Sequence, residues 1–418
     1  MQISEIKTVC FIGAGTMGRF NALMAAAAGY EAILYDVSTT VLDETREQID
    51  AMAAMLVHVG FFSEEQIHAA VQNIRIEPDL ALAVQNAQLI SESVAERLDI
   101  KRSVHHELDI ACPSTAILTT NTSTLLVSQI DGSLPSNRQF AALHSHLGAR
   151  LIDIVSGTHT NAATIDILRR YVLSINGVPL VLKKESPGYV LNTLLGSLLG
   201  MALGLILEGG MSIEDVDRAW IQGAKAPMGP FGMIDLFGLD VVHDSWAHQH
   251  SDPQNADLRT KVIALLSSHI NAGKLGMKSG QGFYQYPAPA YENAEFVTAG
   301  TGGDLYKILA GVVTEQAILL AKSEVASTSD IDRAWMCGTG ALRGPFGDLD
   351  EQGIATFLST YRSYRDLGIF TPAKFEVVEG FLSAQVALGR SGKQDGQGFY
   401  RYPAPLFEHP EFLHGEAV

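Results

Sequence analysis

Cysteine is nearly missing from this sequence: Cys10, Cys112 and Cys337 are the only three in 418 residues. Thiols so few and so scattered argue against a disulfide framework or a cysteine-based zinc site and suit a reducing compartment. The opening stretch, MQISEIKTVCFIGAG, has no basic segment leading into a long apolar core with a small-residue cleavage site. Export is therefore not expected, and the expected location is cytoplasmic. Positive charge is scarce too. Against 46 acidic residues stand 29 Lys and Arg, a formal net charge of -17. Nucleic acid and anionic membrane surfaces would repel such a chain and are not expected as partners.

Two local absences carry more. No charged residue occurs from Pro187 to Leu207, and Gly196, Gly200 and Gly204 recur every fourth position within that run. The length would span a bilayer, but Asn192, Thr193 and Ser197 interrupt the apolar character and no basic flank anchors the far end. The expectation is a buried helix in an all-helical domain, its glycines lining a face where another helix comes close. The second absence is of Lys and Arg between Arg46 and Arg75.

What is present begins with a strand, a glycine turn, a helix and a second strand. Thr8 to Ile12 is a short apolar run without alternation, as in a parallel strand buried on both faces. Gly13-Ala-Gly-Thr-Met-Gly18 follows, then an alanine-rich helix to about Ala28, then a strand from Glu31 to Tyr35 that ends at Asp36. In this setting Gly13 makes the tight turn, Gly15 lets backbone approach a pyrophosphate, and Gly18 lets helix and strand pack closely. The anion sits at the helix N-terminus, over Thr16 and Met17, where free N–H groups and the helix dipole favour negative charge. Asp36, 23 positions after Gly13, would accept from the adenosine ribose hydroxyls and repel a 2′-phosphate. NAD is the expected cofactor.

Further strand-like segments (87–91, 116–119, 139–143, 151–155 and 179–182) alternate with helical stretches. They predict a doubly wound α/β, or Rossmann, domain. After Lys184 the pattern becomes helical and repeats. Asp217-Arg-Ala-Trp220 recurs as Asp332-Arg-Ala-Trp335 and Gly229-Pro-Phe-Gly232 as Gly344-Pro-Phe-Gly347, both 115 residues on; Gly280-Gln-Gly-Phe-Tyr284 recurs as Gly396-Gln-Gly-Phe-Tyr400, 116 on. The expected division is a dinucleotide-binding domain over 1–185 and two tandem all-α domains over 186–290 and 291–418.

Several ordered motifs resemble the L-3-hydroxyacyl-CoA dehydrogenase family over nearly the whole chain: Glu92-Ser-Val-Ala-Glu96 with Lys101, Asn121-Thr-Ser123, Phe140-Ala-Ala-Leu-His144, Ser186-Pro-Gly-Tyr-Val-Leu-Asn192, Pro227-Met-Gly-Pro-Phe231 and Gly280-Gln-Gly-Phe-Tyr284. The resemblance implies an NAD-dependent oxidoreductase that interconverts a 3-hydroxyacyl compound and its 3-keto form. It implies that Glu96, Lys101 and Asn121 lie at the nicotinamide end of the cofactor. His144 would be the acid/base and Asp153 its orienting carboxylate, with Ser123 and Asn192 hydrogen-bonding the substrate oxygen or the histidine. No metal is implied, and a homodimer is. His146, two residues on, would point the same way from a strand and is the rival base; the spacing back to Ser123 favours His144.

The pattern is broken in two places. The family continues its histidine as H-F-x-N-P and a longer loop before L-V-E, where this chain has His144-Ser-His-Leu-Gly-Ala-Arg-Leu-Ile-Asp153. The carboxylate is one methylene shorter. Family members often place basic residues against coenzyme A phosphates in the segment that here lacks Lys and Arg. Alternative substrates are therefore a free hydroxy acid, a dicarbonyl or a carrier-bound acyl chain, and a non-catalytic NAD-binding relative is a further reading. In the second helical copy Tyr306 stands where the first has Asn192, so that copy is expected to be catalytically empty.

Overall fold

The computed structural model describes residues 2–415 apart from 133, 136, 249–255, 301–303 and 367–370. It contains one eight-stranded sheet in the order β3-β2-β1-β4-β5-β6-β7-β8. The strands are β1 (Thr8–Ile12), β2 (Glu31–Tyr35), β3 (Ile74–Ile76), β4 (Leu89–Glu92), β5 (Ile117–Thr120), β6 (Phe140–Ser145), β7 (Leu151–Ser156) and β8 (Val178–Val181). Every pairing is parallel except β6 with β7. All five residues of β1 are buried, which is why that strand shows no polar–apolar alternation. Helices α1 (Thr16–Ala27), α2 (Thr39–His58), α3 (Glu64–Gln72), α4 (Leu80–Val84), α5 (Leu98–Ala111), α6 (Val127–Asp131) and α7 (Ala162–Ser174) fill the connections.

Two strand boundaries differ from the sequence expectation for identifiable reasons. The edge strand β3 is three residues long and centred on an exposed arginine, too short for any period to register. β6 runs two residues past Leu143 because His144 and Ser145, although polar, are buried in the sheet.

The remainder is helical: α8 (Leu191–Leu207), α9 (Ile213–Ala224), α10 (Pro230–Phe237), α11 (Leu239–His248), α12 (Ala256–Asn271), α13 (Ala294–Thr298), α14 (Leu305–Lys322), α15 (Thr328–Thr339), α16 (Pro345–Gln352), α17 (Ile354–Asp366) and α18 (Pro372–Ala387). No described helix is long and apolar enough to cross a membrane. The expected glycine face of α8 is met by side chains in ordinary contact rather than by a neighbouring backbone. A Cβ at Gly200 would lie 3.7 Å from Trp246, one at Gly204 3.7 Å from Leu258, and one at Gly196 near nothing.

Compactness does not follow chain order. One unit comprises Met1–Asn192, Leu320–Thr339 and Ala404–Val418; the other comprises Thr193–Leu319 and Gly340–Pro403. In the first unit α15 lies against β7 and β8, and the Lys183 N–H donates to Val325 O (2.9 Å). The Arg333 guanidinium sits over the Phe412 ring at 5.2 Å and donates to Phe412 O at 2.8 Å. In the second unit Arg218 does the same to Phe296, at 4.7 Å and 2.8 Å. Likewise Asp235 accepts from the Phe283 and Tyr284 N–H groups and the Tyr286 hydroxyl. Asp350 accepts from those of Phe399, Tyr400 and Tyr402.

Glycine marks where long helices dock. In the first unit a Cβ on Gly338 of α15 would collide with the Leu191 side chain at the start of α8. In the second, a Cβ on Gly223 of α9 would collide with the Tyr306 ring at the start of α14. Gly338→Ala is expected to cost about 1–3 kcal/mol of stability through overpacking. Adding Leu191→Ala should recover part of that loss, because the new methyl then enters vacated space. Urea unfolding of the single and double variants checks this; strict additivity would contradict it.

Candidate active site

The sheet order reverses between β1 and β4, and the carboxyl ends of those two strands frame the crevice where doubly wound folds bind ligands. Gly13 ends β1 with φ +98°, a conformation that L side chains rarely adopt, and its N–H donates to Tyr35 O at 2.8 Å. A Cβ there would lie 2.8 Å from Ser93 O, just beyond β4, and one on Gly18 would strike Gly13 O. Gly15 differs: a Cβ would meet nothing within 4 Å, so this is the open side from which a ligand comes close to backbone. The first helical bond of α1 runs from Arg19 N to Gly15 O (3.1 Å), so the preceding N–H groups at Thr16 and Met17 point out of the helix end. Asp36 accepts from Ala14 N (2.8 Å) and Ser38 N (2.9 Å), which fixes its carboxylate at the end of β2 beside the glycine turn. These residues fit a dinucleotide: a diphosphate on the helix N-terminus and a ribose on Asp36.

At the far end of the crevice β6 and β7 pair antiparallel, with His144 opposite Asp153 in the register. The connecting turn is short and passes through Gly148 at φ +73°. His144 Nδ1 lies 2.8 Å from Asp153 Oδ2. A carboxylate only accepts, so the proton is on Nδ1 and Nε2 is left as the free lone pair. Directly opposed residues on an antiparallel pair have their Cβ atoms about 5 Å apart. An aspartate therefore suffices where a longer loop would require a glutamate.

Asp153 is fully buried and His144 nearly so. Burial would raise the Asp153 carboxyl, but hydrogen bonds from His144 and His146 outweigh it and hold the group below its ordinary range. Burial, aided by His146, pushes the His144 imidazole below its usual value against the opposing pull of Asp153. His146 Nε2 is 3.0 Å from the same Asp153 oxygen, so the rival histidine belongs to the cluster rather than standing apart from it. The three side chains offer donor atoms within 4.8 Å of one another, a spacing that could also hold a metal ion.

Around this cluster the Asn121-Thr-Ser-Thr turn wraps the Glu96 carboxylate. Glu96 Oε1 accepts from the Thr122 hydroxyl (2.7 Å), Ser123 N (2.9 Å), Thr124 N (2.8 Å) and the Thr124 hydroxyl (3.0 Å). Lys101 is wholly buried, 2.7 Å from Glu92 and 3.5 Å from Glu96; its charge is spent on carboxylates. Burial opposes ionisation of both glutamates. For Glu96, Lys101 and the turn outweigh it and lower the carboxyl; for Glu92, His105 and Lys101 bring it down to about 2. Asn121 spans the crevice, accepting from Ser145 N (3.1 Å) and donating to Ser93 Oγ (3.3 Å).

Ser123 O accepts from Gly188 N (3.0 Å), tying this turn to the segment that starts α8, where Asn192 is the second residue. Tyr189 adopts φ +49°, strained for a bulky side chain, and its ring is 5.3 Å from His144. The sequence motifs contain Tyr189 and Glu92 without giving either a role, and they miss His105 altogether. Only the positive φ of Tyr189 and the burial of the other two distinguish them, and neither is visible in a string of letters.

Residues 8–186 match the family described as 3-hydroxyacyl-CoA dehydrogenase, NAD binding domain, and residues 188–286 and 307–402 match its C-terminal domain. The chain belongs to the 3-hydroxyacyl-CoA dehydrogenase family. It is an NAD-dependent oxidoreductase. It is 29% identical to the mitochondrial hydroxyacyl-coenzyme A dehydrogenase of Homo sapiens over 292 residues, covering 67% of this chain and 91% of that protein. It is similar to a diketoreductase acting on dicarbonyl compounds, 33% identical with a TM-score of 0.61, over 67% of this chain and 99% of that one. At 21% identity and a TM-score of 0.75, the 3-hydroxybutyryl-CoA dehydrogenase of Escherichia coli K12 shares the fold over 92% of this chain and 99% of its own.

Asp36→Ala is expected to weaken NADH binding about tenfold, the loss of one net hydrogen bond of about 1.4 kcal/mol. Fluorescence titration with NADH checks it. A strong preference of the unmodified enzyme for NADPH would contradict the place given to Asp36.

Proposed function

We propose that this enzyme interconverts an L-3-hydroxyacyl-CoA, or a related 3-hydroxy acid, with its 3-keto form, using His144 and Asp153 as the acid/base pair. The observation that carries this reading is the 2.8 Å hydrogen bond from His144 Nδ1 to a buried carboxylate, which leaves Nε2 as the only basic lone pair of that ring. NAD, bound over Gly13, Gly15, Thr16, Met17 and Gly18 with its ribose at Asp36, supplies the hydride acceptor. In the oxidation direction His144 Nε2 takes the hydroxyl proton as the carbon–oxygen double bond forms and hydride leaves the carbon. Asp153 holds the ring in the tautomer that makes this possible and stabilises the imidazolium that results. Ser123 and Asn192 orient the substrate oxygen. Glu96, Lys101 and Asn121 serve the nicotinamide end, Lys101 acting through Glu96 because no face of it reaches solvent.

A second reading, a dicarbonyl or free hydroxy acid as substrate, is favoured by one observation. The groove between α2 and α3, about 750 Å³, is lined by Asp50, His58, Glu64 and His68 with Ala53, Val57 and Ile67 between them, and no lysine or arginine. A polyphosphate would meet carboxylates there, with two histidines but none of the lysines or arginines that usually make its charge-assisted contacts. The diketoreductase relative points the same way.

We also propose a functional division at 1–185, 186–290 and 291–418, with catalysis confined to the first two parts. Tyr306, the counterpart of Asn192, is spent on packing, 5.9 Å from the Trp220 ring. The proposed setting is a cytoplasmic homodimer.

Acetoacetyl-CoA, free 3-keto acids and diketones assayed with NADH separate the substrate readings; no turnover with any of them, despite tight NADH binding, would overturn the enzyme reading. His144→Gln should lower kcat by about 10²–10⁴ with NADH affinity retained. The pH dependence follows from the depressed His144. Oxidation needs the neutral ring, so its rate should rise with pH along a limb centred below pH ~6.5, the ordinary imidazole value. Reduction needs the protonated ring and should fall over the same interval. An oxidation limb centred well above that value would contradict the assignment.

A further inference from the structure

We propose that His146 is a positioning residue for the dehydrogenase reaction, acting as the second tether of Asp153 so that the site is a His–Asp–His cluster. The proposal rests on the reading of His144 as the base. Asp153 is completely buried, and among the described residues its Oδ1 makes no hydrogen bond. Everything that holds this anion acts on Oδ2: His144 Nδ1 at 2.8 Å and His146 Nε2 at 3.0 Å. A buried carboxylate with one bare oxygen is costly, and one with a single donor is costlier still. That single donor would be the ring whose protonation changes during turnover. His144 keeps its Nδ1 proton on the carboxylate while Nε2 gains and loses one, and His146 adds a second donor to the same oxygen.

The second histidine also restricts the first mechanically. The two rings meet edge to face with centroids 4.5 Å apart, while the Tyr189 ring closes another side of His144 at 5.3 Å. The other ionisable groups facing the cluster are Glu96, from the loop after β4, which raises His144, and Glu185 beyond Tyr189. Among the described residues neither hydrogen-bonds Asp153. The tether is therefore supplied by the first residue after β6, two positions on from the base, at the point where the H-F-x-N-P pattern is broken. A shorter loop brings a short carboxylate within reach of both rings.

The test uses three variants of the full-length enzyme with its preferred substrate from the panel above. His146→Gln keeps an N–H donor on a chain of similar reach. His146→Leu removes it, and His146→Phe removes it while keeping a ring against His144. The Leu and Phe variants should lose roughly 10–100-fold in kcat, with substrate KM and NADH affinity within about threefold of the parent. Gln should restore kcat to within about threefold of the parent. NADH titration establishes that each variant is folded. Donor-less variants with parental kcat, or a Gln variant as impaired as they are, would overturn the proposal. If His144→Gln stayed active while all three His146 variants were dead, His146 would be the base, and the underlying assignment would fail instead of the tether.

Discussion

A buried carboxylate imposes conditions on everything around it. Asp153 lies in the interior of the sheet with no solvent to satisfy it, so it survives as an anion only through donors delivered by neighbouring strands. The antiparallel step from β6 to β7 delivers them: reversal through a short turn puts His144 in register opposite Asp153, and His146 follows one residue past the end of β6. A parallel connection at this point would need a crossover of a dozen residues and could not oppose residues nine apart. The antiparallel pairing of β6 with β7, alone among the described strand pairings, is thus the constraint that builds the proposed acid/base site.

The same logic recurs one layer out. Glu92 and Lys101 are both fully buried, 2.7 Å apart, with His105 and Thr120 completing the shell of Glu92. Breaking one side of such a pair leaves the other charge stranded, which costs far more than the pair contributes. That rigidity passes to Glu96, whose carboxylate organises the Thr122–Thr124 turn and so places Ser123. Two buried charges thus act through the partly exposed Glu96 on the turn that carries Ser123.

The helical half shows how the same short motifs can pack in different surroundings. Arg218 over Phe296 and Arg333 over Phe412, and Asp235 and Asp350 each capped by two backbone N–H groups and a tyrosine, repeat the same local physics. Yet α15 packs in the unit that contains the sheet, against β7 and β8 and the start of α8, whereas α9 packs with Tyr306 in the other unit. Identical motifs end in different surroundings because motifs specify turns and caps, while burial of the remaining faces depends on what lies nearby.

Glycine spacing, strand composition and the acidic end of β2 sufficed to determine the dinucleotide turn, strands β1 and β2 and the identity of the cofactor, because turn chemistry and burial of a parallel strand act over a few neighbouring residues. The 115-residue offset likewise revealed the repeated helical motifs. Histidine spacing isolated His144 and demoted His146 to a rival. Only the tertiary structure decided that the two share one carboxylate, that Lys101 is enclosed by glutamates, and that β3 exists as an edge. Those outcomes depend on strand register and on which faces close against each other, and no local pattern encodes either.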